Sequence, residues 1–148
     1  MSYLTFLIGG EEYALALEEA REVIAYPEVT VVPRRAAAIG GVIHLRGNIV
    51  TIVDVAAVFG IPATATTKWT CVVVAEAGDA GLIGIVVDRV REVVELAADT
   101  IQPPPLFGTS GTPRFLRGVS ASGDRIVRIL DVVAVVEELA RAPGAEVA

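Results

Sequence analysis

The chain is poor in the parts from which enzymes and metal sites are made. It has one histidine, His44, one cysteine, Cys71, and one lysine, Lys68, in 148 residues. A lone cysteine excludes an internal disulfide and fits a reducing compartment, where a thiol in an apolar stretch behaves as a small buried hydrophobe. A Cys/His nucleophilic pair would have no third group to orient it, and a Cys/His metal site would be short of ligands. There is no run of basic residues to offset a formal charge of -6, which argues against nucleic acid or anionic lipid as the main partner. The beginning, Met1-Ser2-Tyr3-Leu4, lacks the basic flank and cleavage pattern of a secretory signal. The apolar runs, such as Leu82 to Val87, are of strand length and well short of the roughly 20 residues of a membrane helix. The expectation is a cytoplasmic protein without direct membrane insertion.

What is present in quantity is apolar: 53% of the residues are hydrophobic and only 20% are charged. Valine and isoleucine dominate, in bursts separated by Gly, Pro and Asp, the texture of a strand-rich fold. The bursts also repeat. Ala20-Arg21-Glu22-Val23-Ile24 returns as Val90-Arg91-Glu92-Val93-Val94, an offset of 70 residues. Gly41-Val42 and Ile49 to Val55 return as Gly118-Val119 and Ile126 to Val132, an offset of 77, because the second copy has a longer connection from Pro104 to Arg117. A duplicated unit of this size predicts a paired scaffold with a groove between its halves.

Each copy reads alike. Tyr3 to Ile8 and Tyr13 to Leu17 are strands around the turn Gly9 to Glu12, and Ala20 to Ala25 is a third strand closed by Pro27. Pro33 to Ala38 is a connection with a helical turn. A hairpin then runs from Gly41 to Leu45 and from Ile49 to Val53, with Arg46-Gly47-Asn48 as its turn. Asp54 caps a helix from Val55 to Phe59, and Gly60 and Pro62 stop it. Ala63 to Lys68 links the copies. Strands follow at Thr70 to Ala75 and Leu82 to Val87, turned at Gly78 to Gly81, then a hairpin around Ser122-Gly123-Asp124. Asp131 caps a longer helix ending near Ala142, with Val132, Val136, Leu139 and Ala140 on one face and Glu137, Glu138 and Arg141 on the other. About five strands and one helix per copy predict a small closed barrel, and two barrels side by side. The fold class expected is therefore all-β with short helices. The approximate repeats span residues 3–62 and 69–142 of one domain, 1–148, in which a terminal strand can be exchanged between the subdomains.

Candidate chemical motifs dissolve on inspection. Gly108 to Thr112 is glycine-rich but lacks the Gly-Lys-Ser/Thr ending of a phosphate loop, so it reads as a flexible loop. Asp54 stands at a strand end, as a phosphoacceptor aspartate does, but Asp131 repeats it and helix capping explains both. No catalytic, cofactor-binding or metal-ligating set is assigned. Arg46, beside a glycine at a hairpin tip, is either a solvated turn residue or a perch from which a five-donor guanidinium grips a partner carboxylate. Arg21-Glu22 and Arg91-Glu92 interrupt otherwise apolar strands.

The runs Tyr13 to Ile24, Ile39 to Val55 and Gly84 to Val94, followed by Ile101 to Pro105 and Phe115 to Val119, together resemble the chemotaxis coupling protein family CheW, over roughly Tyr3 to Leu139. The resemblance implies two SH3-like five-stranded β-barrels around a shared apolar interface. It implies a non-enzymatic adaptor, without cofactor, that bridges the cytoplasmic tip of methyl-accepting chemoreceptors to the regulatory domain of the histidine kinase CheA and lets receptors control its autophosphorylation in a membrane-associated array. By position, Arg46 corresponds to the family arginine of receptor coupling and Glu22 to an acidic position beside it, with Ala20, Val42, Ile43 and His44 lining or supporting the same surface. Cys71 and Val87 are the candidates for kinase contact. Many members carry asparagine where His44 stands and proline within the stretch Ala36 to Ala38; the histidine brings a mild pH dependence, and both departures are compatible with a pilus-linked or other nonflagellar pathway. Two rivals share the expected barrels: a kinase regulatory domain, disfavoured by the short chain, and a small-ligand-binding double barrel, disfavoured by the lack of convergent polar groups.

Overall fold

The computed structural model describes residues 1–26, 39–61, 66–104 and 115–141, with the side chains of residues 39, 40 and 139–141 excepted. The expected helical turn at Pro33 to Ala38, the loop Gly108 to Thr112, much of the linker from Ala63 and the contribution of Leu139, Ala140 and Arg141 to the last helix lie outside the described residues.

Eleven strands and two helices are described: β1 Ser2–Ile8, β2 Glu11–Ala16, β3 Ala20–Ala25, β4 Ile39–Leu45, β5 Asn48–Val53, α1 Val55–Phe59, β6 Cys71–Glu76, β7 Leu82–Val87, β8 Arg89–Glu95, β9 Ile101–Gln102, β10 Leu116–Ser122, β11 Arg125–Leu130 and α2 Val132–Arg141. A 3₁₀ turn, Gly78–Ala80, joins β6 to β7. The strands form a six-stranded sheet, β8-β1-β2-β11-β10-β9, and a five-stranded sheet, β3-β6-β7-β5-β4. Each copy therefore lends its first hairpin to the other copy's sheet: β1–β2 lies with β8, β10 and β11, and β6–β7 lies with β3, β4 and β5. At the seam of each sheet the loaned hairpin meets its host through a parallel pair, β2 with β11 and β7 with β5.

The closed five-stranded barrels expected from the sequence do not form. Both sheets are open, and among the described residues no ladder joins β3 to β4 or β8 to β9. Across the gap between β3 and β4 the contact is a side-chain pair, Glu22 with Arg46, in place of a backbone ladder, and the edge strands are irregular. The register slips on β3 between Ala20 and Glu22, and the pairing of β1 with β8 slips opposite Arg91-Glu92, so each Arg-Glu pair marks a bulge that interrupts regular pairing and places charge at the edge. In the second, Thr5, fully buried, donates from Oγ1 to the Glu92 carbonyl at 3.0 Å and accepts from the Glu92 amide at 3.3 Å. At the other edge of the six-stranded sheet, β9 is only two residues long.

Three apolar clusters result. The largest fills the space between the sheets with Leu4, Phe6, Leu15, Val73, Ile83 and Ile85, sealed by α1 and α2 through Val55, Phe59, Val132 and Val135. Tyr13, Phe59 and Phe115 form a run of rings at its centre, with centroids 5.6 and 5.4 Å apart. The buried face of α2 includes Val135, which the expected stripe passes over, while Val136 is half-buried. The second cluster, on the far face of the six-stranded sheet, holds Tyr3, Ala14, Ala16, Val127 and Ile129. The third, on the far face of the five-stranded sheet, holds Ile43, Val50, Ile52, Val72 and Val74. Asp54 caps α1 as expected, accepting from the Ala56 amide at 3.1 Å, and Gly60 ends it in the left-handed region.

Candidate functional site

The β4–β5 hairpin turns in two residues, since Leu45 pairs with Asn48. Arg46 and Gly47 both take positive φ, 52° and 82°, the backbone of a type I′ turn. A left-handed arginine costs roughly 1 kcal/mol relative to a residue in the ordinary regions. Its side chain is fixed by Glu22 of β3: Arg46 Nε donates to Glu22 Oε1 at 3.1 Å. The glutamate raises the Arg46 pKa further. Because β3 and β4 are the two edges of one sheet, this ion pair spans the mouth of the sheet's concave face, above the third apolar cluster.

Beside it lies a cleft of about 400 Å³. Arg21, Glu22, Leu45, Arg46, Asn48 and Glu76 supply much of its wall. Arg21 is ion-paired with Glu76 at the end of β6. The lip thus carries two arginines and two glutamates over an apolar floor of Leu45, Val74 and Leu82, a surface able to exchange internal ion pairs for pairs with a partner.

Of the residues expected at a receptor surface, the fold brings Glu22 and Arg46 together. Ile43 is buried beneath them in the third cluster. Ala20 is half-buried, but the bulge turns it to the opposite face, where it packs on the inter-sheet core. Val42 and His44 alternate with Ile43 and Leu45 and so point away from the cleft, opposite Thr51 and Ile49. His44 is exposed there. Glu76, Asn48 and Leu82 were not anticipated: Glu76 looks like the polar end of an apolar run, and only the loan of β6–β7 to this sheet brings it to Arg21. Cys71 and Val87 are register partners at the other end of β6. Val87 is buried and Cys71 half-buried, both packed on the inter-sheet core. Burial pushes the Cys71 thiol pKa up, away from a reactive thiolate.

The six-stranded sheet has a corresponding ion-pair cluster. Arg125, following the β10–β11 turn, donates to Glu12 from Nε at 2.9 Å and from Nη2 at 2.7 Å, and pairs with Glu92 at 2.8 Å. Arg91 adds a contact to Glu12 at 3.6 Å. The Arg125 hydrogen bonds hold the Glu12 carboxyl below its ordinary pKa despite the opposing effect of burial. A smaller cleft of about 290 Å³ lies beside this network, lined by Val94, Leu96, Ser120 and Arg125 among others. Among the described residues no cluster of His, Cys, Asp and Glu is placed to hold a metal, and no helix is long and apolar enough to cross a membrane.

A family profile described as the CheW-like domain matches residues 2–140. The chain is 34% identical over 130 residues to the chemotaxis protein CheW of Klebsiella aerogenes, covering 88% of this chain and 78% of that protein. It is 30% identical over 132 residues to the chemotaxis protein CheW of Helicobacter pylori, covering 89% and 79%. The crystal structure of the scaffolding protein TtCheW from Thermoanaerobacter tengcongensis superposes with a TM-score of 0.80 at 28% identity, covering 87% of this chain and 82% of that one. With family profile, relatives and solved structure in agreement over nearly the whole length, the chain belongs to the CheW-like domain family, whose members are non-catalytic scaffolds.

Proposed function

We propose that this chain is the coupling adaptor of a chemosensory complex, joining the cytoplasmic tip of a methyl-accepting chemoreceptor to the regulatory domain of the histidine kinase CheA and thereby controlling kinase autophosphorylation. Its location is then the cytoplasm, at receptor arrays on the membrane. Residues 1–148 act as one unit in this reading. The observation that carries it is an exposed arginine in a strained tip, pinned by one hydrogen bond to a facing edge strand, in a chain that matches the CheW-like profile over residues 2–140. Arg46 and Glu22 are assigned to the receptor; Ile43 supports them from below, and Ala20, Val42 and His44 act on the groove indirectly or border it. Kinase contact is assigned to a different surface, with Cys71 and Val87 shaping it from beneath.

The test is a three-component assay with the cognate receptor fragment and kinase, measuring phosphorylation with and without the chain. Coupling requires a ternary complex and a change in kinase output. Arg46→Glu is expected to weaken receptor binding by about tenfold or more while the fold and kinase binding persist. Unchanged receptor affinity would remove Arg46 from the proposed surface, and an absent ternary complex would remove the proposal.

A further inference from the structure

Six arginines of the described surface, Arg21, Arg46, Arg91, Arg117, Arg125 and Arg128, each end on a glutamate. Lys68 and Arg89 have no such partner among the described residues. Both stand instead over the ring of Trp69, with the Lys68 Nζ 5.2 Å and the Arg89 guanidinium 4.4 Å from its centroid. Trp69 is 51% exposed. The turn that carries it is held in place: Thr67 Oγ1 accepts from the Trp69 amide at 3.0 Å, Thr70 Oγ1 accepts from the Thr67 amide at 2.9 Å, and the Thr67 carbonyl accepts from the Thr70 amide at 3.2 Å. Thr70 is buried under this turn. Exposed Val23 and Ala25 of β3 share the face of Cys71, where β6 begins, and extend the apolar ground nearby.

We infer that Trp69, Lys68 and Arg89 form a second docking site, for an acidic segment of a protein partner that sets an apolar side chain on the indole and carboxylates on the two cations. A rigid ring loses little freedom on binding, and a cation already placed on an indole face keeps that contact while it receives a carboxylate. Charge favours the position: on a chain of net charge -6, Lys68 and Arg89 are cations that lack a glutamate among the described residues, so an acidic segment meets two open charges there. The same net charge disfavours an anionic bilayer, for which two cations are too few against the roughly four to eight of a lipid-binding cluster. Trp69 and Glu76 flank β6 at opposite ends, about 20 Å apart at the rise of a strand, so this site is separate from the Arg46 cleft and does not depend on the coupling reading.

Trp69 is the sole tryptophan of the chain, so its emission reports on this site alone. The probe is a synthetic peptide alternating glutamate and leucine, with a lysine–leucine peptide of equal length and phosphatidylserine vesicles as comparisons. The expected result is a saturable emission shift with the glutamate–leucine peptide that weakens as salt is raised, and an affinity lower by about tenfold or more in Lys68→Glu/Arg89→Glu and by a smaller factor in Arg89→Gln. Arg46→Glu should bind the peptide as the parent does. No shift with the acidic peptide, equal affinity in the charge variants, or a shift produced as readily by the lysine–leucine peptide would overturn the site. A shift with vesicles in place of peptide would overturn it in favour of a membrane contact.

Discussion

The two sheets are built on one plan and finished differently. Strand for strand, β8-β1-β2-β11-β10 repeats β3-β6-β7-β5-β4, each with a parallel seam and an edge bulge bearing Arg-Glu. In each, the bulge glutamate reaches an arginine of the facing hairpin: Glu92 to Arg125 in the six-stranded sheet, Glu22 to Arg46 in the five-stranded one. Arg125 is consumed by its own protein. It grips Glu12, only 6% exposed, with two hydrogen bonds and has Glu92 as a third contact. Arg46, with a side chain 76% exposed, makes one. One plan therefore yields a structural clamp in one half and an available cation in the other, which is how a duplicated scaffold comes to have unlike surfaces.

The comparison breaks most completely if the halves are separate folding units, and the shared aromatic run decides this. Phe59 belongs to the first copy, and its ring lies between Tyr13 and Phe115, residues of the six-stranded sheet and of the segment entering it. Phe59→Ala should cost about 3–5 kcal/mol and leave one cooperative transition in denaturant, because the cavity opens in the core both sheets share. Two transitions, with only one displaced, would show that the hairpin exchange does not bind the halves into one unit.

A second difference is one methyl group. Ala14 of β2 and Gly84 of β7 hold matching places, Ala14 in the second cluster and Gly84 against the third. A Cβ on Gly84 would stand 2.6 Å from Val72 Cγ1 and 2.9 Å from Ile52 Cδ1. Gly84→Ala should therefore destabilise by about 1–3 kcal/mol, seen as a lower thermal midpoint. A neutral effect would mean that the concave face of the five-stranded sheet has slack, and that its cleft is deformable instead of preformed.

The clamp itself is tested by pH. The Glu12 pKa is lowered on folding by Arg125, so its contribution is complete above the unfolded carboxylate pKa of about 4.3 and is lost as pH falls through the folded value. Glu12→Gln should cost about 1–2 kcal/mol at neutral pH, discounted for the partial exposure of Arg125, and the gap to the parent should narrow on acidification below about pH 4. Urea titrations across that range measure it. A gap that does not change with pH would assign the loss to packing and leave the two arginines alike in function.

The strands and both caps were legible because each is written in local terms: valine bursts, Asp54 and Asp131 before helices, Arg46-Gly47 at a tip. Closure was not. Whether a curved sheet completes its last ladder depends on the edges meeting in register, and the Arg-Glu pairs that mark bulges on the edge strands read in sequence as mere interruptions of apolar strands. The pairing of Glu22 with Arg46 was half-visible, since both positions carry the family resemblance. Arg21 with Glu76 was not, because their meeting requires β6 to sit in the other copy's sheet. The position of Trp69 was visible, but its two cations stood out only once Arg21, Arg46, Arg91, Arg117, Arg125 and Arg128 had each been found on a glutamate.

The smallest effect on stability is the sharpest test of the contrast. If Arg46 and Glu22 are an available pair and not a second clamp, then Arg46→Ala, Glu22→Ala and the double variant should all melt with the parent, and the thermal midpoints should show no coupling between the two positions. Arg46→Gly should even raise the midpoint slightly, since glycine relieves the left-handed strain at φ 52°. Under the proposed coupling role, receptor binding is where the same variants should separate: loss of Arg46 would remove the proposed contact, whereas loss of Glu22 would free the guanidinium from its anchor, so that affinity changes by a smaller factor and salt sensitivity increases. A clear drop in midpoint for either single variant, reversed by the other, would identify the pair as a fastening across the mouth of the open sheet. The difference between the two halves would then be one of exposure, with the same mechanical role on both sides.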